Sequence, residues 1–189
     1  MKHANGVLEL AAASSELEEA SVVAERLGGT LYADEREDWQ KLPFRALVTA
    51  ATDAPEALRS VADVGLYLIY RRLIKPGEPG VIGLFPILRA PGMSHQAADT
   101  HWRDVHGPLA LKHHEHMTHY TQLSVVETLE GPALDGIALV GFASIEDFRH
   151  RFYTGPESPA IIAEDTSRFA DLKRSPNRLI AREYRFGSD

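Results

Sequence analysis

Seven of the chain's nine histidines fall between His95 and His119. An imidazole with an unperturbed pKa of about 6.5 can take or give a proton near neutrality, so this stretch is where acid–base chemistry is sought first. His106, followed by Gly107 and Pro108, either moves a proton or packs the turn those two residues make. His101 lies five residues earlier, about 500 degrees around an α-helix, so the two need not share a face. Its plainer reading is a partly exposed helix histidine. His119 and Tyr120 point in opposite directions if both enter a strand, so one faces a pocket and the other its back. Trp102 reads as a core anchor whose edge can line a pocket. Tyr120 either orients a substrate carbonyl or phenol or bridges core and solvent.

The run His113-His114-Glu115-His116-Met117-Thr118-His119 carries enough imidazole and carboxylate to suggest a metal site. Its spacing differs from His-Glu-x-x-His, and a solvated loop is the simpler reading, so no metal is expected there. Other chemistries lack their residues. The chain has no cysteine, hence no disulfide, thiolate nucleophile or Cys-type zinc site, which fits a reducing, cytoplasmic setting. It has no glycine loop for phosphates and no Gly-x-Ser-x-Gly elbow, so nucleotide cofactors and serine hydrolysis are not expected. A formal charge of -7 with no concentrated basic segment argues against nucleic acid. No apolar run approaches the roughly 20 residues a membrane helix needs, and the start of the chain lacks the apolar core of an export signal.

The elements that must position these groups follow from periodicity and breakers. Gly6 to Ala11 reads as a strand. Ser14 and Ser15 could then cap a helix carrying Leu17, Ala20, Val23, Ala24 and Leu27, which Gly28-Gly29 stops. Thr30–Ala33 and Phe44–Ala50 are strand candidates. Asp53-Ala54-Pro55-Glu56 opens a second helix through Val64, and Gly65–Tyr70 is β-prone before the break at 75–80. The second half repeats the order: a strand from Val81 to Arg89 with Pro86 at an edge or bulge, and a helix capped by Ser94 that Gly107-Pro108 kinks or restarts. Strands over Tyr120–Leu129 and Ile137–Ala143 follow, then helices from Ser144 and Pro159, and a last strand over Arg178–Phe186. The expected fold is α+β: two tandem ferredoxin-like βαββαβ units, residues 1–78 and 79–189, with antiparallel sheets. Each unit leaves one sheet face uncovered, and the two can close on each other as an internal α+β barrel, a homodimer being the other way to cover them.

His101-Trp102-Arg103-Asp104-Val105-His106-Gly107-Pro108-Leu109-Ala110 resembles the HWR-x-x-HGPL signature of EthD-type proteins. Tyr120 and Gln122 in the next strand, Phe142, the segment at Asp147 and Phe148, and Glu164-Asp165 before Phe169 extend the resemblance over about Val81 to Phe186. The first half shares only the element order and reads as a degenerate repeat. The resemblance implies a dimeric α+β barrel that binds small organic molecules between sheet and helices. Its enzymes include polyketide cyclases, lactone isomerases and monooxygenases working without metal or organic cofactor, beside haem-dependent relatives. Fold does not choose among these.

Combining both readings, the expectation is a cofactor-independent acid–base enzyme acting on a small aromatic or polyketide-like carbonyl compound as a cyclase, isomerase or lyase. His106, His101 and His119 are the candidate catalytic groups. Trp102, Tyr120 and Gln122 are the candidate substrate contacts. The alternatives are a cofactor-free or haem-dependent monooxygenase, and a non-enzymatic small-molecule binding accessory protein.

Overall fold

The computed structural model describes residues 6–187. Its strands are β1 (Val7–Ser14), β2 (Thr30–Ala33), β3 (Ala46–Ala50), β4 (Gly65–Lys75), β5 (Val81–Ile87), β6 (Met117–Glu130), β7 (Gly136–Phe142) and β8 (Leu179–Arg185). All pair antiparallel and close into a barrel in the order β1-β3-β2-β8-β5-β7-β6-β4. Each half supplies one ferredoxin-like run, β4-β1-β3-β2 and β8-β5-β7-β6. The runs join where β2 meets β8 and where β4 meets β6. The expected internal barrel is therefore formed within one chain, and closure removes the open edges that such sheets would otherwise present.

Alternation along the strands fills the barrel. Ala11, Ala13, Leu47, Ile69, Ile82, Leu84, Leu123, Leu139 and Leu179 form the inner core. On the outside the halves differ. In the first, α1 (Leu17–Arg26) and α2 (Pro55–Arg59) lie directly on the sheet, with Val23, Ala24 and Leu58 packed against Leu10, Leu31, Val48 and Leu66. In the second, α3 (His95–His101), a π-helical turn (Trp102–His106), α4 (Gly107–His113), α5 (Ile145–His150) and α6 (Ser158–Phe169) build a deeper layer around Trp102, Met117, Phe142 and Phe169. Among the described residues no helix is long and apolar enough to cross a membrane.

Three local expectations are corrected. Ser14 and Ser15 do not cap α1: β1 runs on to Ser14, and both serines bond the Asp63 carboxylate, so the helix starts after Glu16. The second helix ends at Arg59 rather than reaching Val64. Other expectations hold. Ser94 Oγ accepts from the Ala97 N–H at 3.2 Å, and Ser144 Oγ from the Asp147 N–H at 3.1 Å. The expectation for Pro86 is corrected: β5 is paired on both sides and Pro86 meets Ile137 of β7 without a bulge, while the β5–β8 ladder, which covers Ile82 to Leu84, stops short of it.

Trp102 reaches the sheet because β7 has no side chain at Gly136. A Cβ there would stand 2.5 Å from the indole. Gly136→Ala should therefore cost about 1–3 kcal/mol through overpacking. Urea denaturation followed by tryptophan fluorescence checks this, with a shifted native emission expected as the indole is displaced.

Candidate active site

The widening of the helix at Trp102–His106 is the local feature from which the site follows. Pro108 has no N–H to give to the carbonyl four residues back, and its ring crowds that carbonyl, so the α-helical ladder cannot continue unbroken. The chain instead takes a π turn, in which the Gly107 N–H bonds Trp102 O. Trp102 O also accepts from Gln122 Nε2 at 3.0 Å, which ties the turn to β6. Because i and i+5 are the bonded pair in such a turn, His101 and His106 come to one side of it. The α-helical angle that separated them in the sequence reading does not apply.

Both imidazoles meet Asp165 of α6. His101 Nε2 is 2.9 Å from Oδ1 and His106 Nδ1 is 2.8 Å from Oδ2. Asp165 is only 6% exposed. Burial works to raise its pKa, but the two imidazole bonds outweigh it and hold the carboxyl below the usual range. An ionised carboxylate only accepts, so His101 presents Nε2–H and His106 presents Nδ1–H. The Nε2 of His106 has no hydrogen-bond partner among the described residues. Burial pushes the His106 pKa below the ordinary histidine value, outweighing the opposite pull of Asp165. His106 is therefore a neutral imidazole at pH 7 with one nitrogen anchored and the other available.

His106 lines a cleft of about 640 Å³ between the second half's sheet and its helices, a volume suited to a small organic molecule. Phe85, Ile87, Met117, Tyr120, Ala138 and Val140 form the sheet side. Trp102, His106, Ala110, Ile162 and Phe169 form the helical side. The Phe169 ring fixes the aromatic geometry: His101 stacks on it at 5.5 Å between centroids, Trp102 lies near parallel at 6.3 Å, and His106 tilts against it at 5.1 Å. Tyr120 is fully buried, which pushes its pKa up to about 12. Its oxygen accepts from Trp102 Nε1 at 3.0 Å and Gln122 Nε2 at 3.1 Å.

Of the six residues singled out in the sequence, His106, Trp102 and Tyr120 line the cleft. His101 stands behind it on Asp165, and Gln122 braces Trp102 and Tyr120 without lining it. His119 lies apart. It points into the barrel, where Nδ1 bonds Gly77 O at 3.2 Å and Nε2 pairs with the Thr121 hydroxyl at 2.9 Å. The rest of the histidine run fans out: His113 to Ser158 Oγ, His114 to Phe152 O, and His116 to Arg151. Among the described residues no group of three His, Asp or Glu side chains is placed to hold a metal ion.

Two site residues were given no role in the sequence, although Asp165 stood among those that carry the resemblance. Asp165 sits on the buried stripe Ile162, Asp165, Phe169 of α6, and a carboxylate on such a stripe is itself a signal. His114 was visible only as one of a cluster. It lines the cleft beside Phe152 and Tyr153, and burial lowers its pKa.

Residues 90–173 match the family model of the EthD domain, which spans α3 through α6. Over that span the second half is similar to an EthD domain, as its motif suggested. No curated protein matches the chain. Among solved structures, an anthrone oxidase-like protein aligns at TM-score 0.57 and 11% identity, covering 99% of this chain and 95% of its own. A candidate monooxygenase from Lactobacillus acidophilus NCFM aligns at 0.53 and 7% identity, covering 96% and 97%. Another from Fusobacterium nucleatum subsp. nucleatum ATCC 25586 aligns at 0.52 and 9%, covering 98% and 97%. At such identities these likenesses establish the shared fold, an α+β barrel over the whole chain.

Two outcomes follow from the titrating groups. Replacing Asp165 with asparagine removes the interaction that raises the His106 pKa, so its titration midpoint, read by NMR of the ring protons, should fall further below that of the parent protein. His106, His114 and His119 are all lowered chiefly by burial. The unfolded chain therefore binds protons that the folded chain refuses, and stability should decline as pH falls below about 6.5. Urea midpoints measured from pH 7.5 down to 5.5 should drop accordingly.

Proposed function

We propose that the chain is a cofactor-independent acid–base enzyme acting on a small aromatic or polyketide-like carbonyl compound. The observation that carries this reading is the Asp165–His106 pair on the cleft wall. His106 Nε2 would take a proton from a carbon next to the substrate carbonyl, or from a phenol. The C–H or O–H electron pair would move into the ring or onto the carbonyl oxygen, giving an enolate or phenolate. Asp165 would steady the imidazolium that forms, and His101 would hold Asp165 in place.

Tyr120 suits the developing oxyanion. The indole N–H can only donate, and the Gln122 amide is oriented by its bond to Trp102 O, so both hydrogen bonds at the Tyr120 oxygen arrive from donors. The tyrosine's own proton has no acceptor among the described residues and would be offered to the substrate oxygen. Cyclisation, isomerisation and elimination could all proceed from the same anion.

A second reading, favoured by the descriptions of the structural neighbours as anthrone oxidase-like and monooxygenase proteins, sends that anion to dioxygen. A methylene would become a carbonyl, with one oxygen atom retained and the other released as water.

A panel of aromatic and polyketide-like carbonyl compounds, followed by mass spectrometry beside an oxygen electrode, separates the readings. Turnover should fall by roughly 10²–10⁴ in His106→Ala and by roughly 10²–10³ in Tyr120→Phe. The rate should also fall as acid protonates His106. Oxygen uptake matched to substrate loss would select the second reading. Binding without turnover in the parent protein would instead favour an accessory binding role, and full activity in His106→Ala would refute the acid–base assignment.

A further inference from the structure

The mouth of the cleft carries a charge pattern that proton abstraction alone does not require. The chain is acidic overall, with a formal charge of -7, yet Arg36, Lys41 and Arg178 line the opening against a single carboxylate, Asp38. These cations are not equivalent. Arg36 is committed to Asp34 by a forked ion pair. Arg178 has no carboxylate partner among the described residues. It is held by aromatic faces, its guanidinium carbon 5.7 Å from the Phe148 ring centroid and 5.9 Å from that of Phe85. Lys41 also has no ion-pair partner among the described residues.

We infer that Arg178, assisted by Lys41, recognises a carboxylate on the substrate. The preferred ligand is then an aromatic acid, with its ring between the Trp102–Phe169 wall and the sheet and its anionic group at the mouth. A guanidinium resting over two rings and without a carboxylate partner leaves its N–H groups available, which suits a planar carboxylate. Phe85 serves both parts of the site, since its ring lines the cleft and supports Arg178. Lys41 and Arg36 come from the β2–β3 connection, so the first half would contribute to specificity although the EthD match lies wholly in the second.

This inference rests on the proposed cleft reading but not on the chemistry assigned to His106, and binding can test it without turnover. The probes are 2-naphthoate and its neutral near-isostere 2-naphthamide, titrated against the full chain by calorimetry and by quenching of tryptophan fluorescence. The acid should bind roughly tenfold more tightly than the amide, the scale of one charge-assisted contact, and the preference should shrink as salt is raised. Arg178→Gln should abolish most of the preference while leaving amide binding unchanged, Arg178→Lys should keep part of it, and Lys41→Gln should reduce it by a smaller factor. His106→Ala should leave the acid-to-amide ratio intact, so an error in the catalytic assignment would not disturb this result. Equal affinity for acid and amide, failure of both to bind, or a preference that survives in Arg178→Gln would overturn the inference.

Discussion

A buried carboxylate must find donors or lose its charge, and Asp165 finds two imidazoles. That requirement organises the second half of the molecule. To bring His101 and His106 to one acceptor, the helix opens into a π turn whose freed backbone is satisfied partly by Gln122 of β6. The turn lowers Trp102 onto the sheet at Gly136, and α6 is drawn close enough for Phe169 to pack against three rings. Removing the carboxylate would leave two half-buried imidazoles without their acceptor, which is why one side chain bears on both the stability and the electrostatics of the site.

The barrel makes that arrangement possible by giving it a floor that cannot shift. Closure within one chain means that the first half does for the second what another subunit would do in a dimeric barrel. The division of labour is visible in the outer layers: α1 and α2 press directly onto their sheet through an apolar interface, whereas the helices of the second half leave a cleft against theirs. The halves remain coupled. Arg72 of β4 reaches across the β4–β6 seam to grip Asp99 of α3 through both oxygens, and its guanidinium lies over Trp102. The first half thereby steadies the helix that leads into the π turn.

Much of this was legible in the sequence because the signals were local. Ser94 and Ser144 announced their helices by capping, and the repeated order of elements announced two sheets that needed each other. The HWR-x-x-HGPL run singled out His106 and Trp102. What escaped was set by contacts distant along the chain. Asp165 is 59 residues from His106, and nothing near either residue names the other. The π turn could not be read from a 100-degree helical period, since it is the winding that changes. His119 and Tyr120 were recognised as facing opposite ways, but with apolar packing on both sides of β6 the pattern could not say which side held the cleft. Ser14 and Ser15 looked like caps because their true acceptor, Asp63, lies beyond the second helix.

The acid–base chemistry proposed for the cleft depends on Asp165 anchoring Nδ1–H of a neutral His106 and leaving Nε2 available. The ring-nitrogen chemical shifts of ¹⁵N-labelled histidine, measured at pH 7 and assigned to His106 by its loss in His106→Ala, read that arrangement directly. A neutral ring protonated at Nδ1 is expected, with its proton signal displaced by the carboxylate bond. A His106 found protonated on both nitrogens at pH 7, or carrying its proton on Nε2, would contradict it.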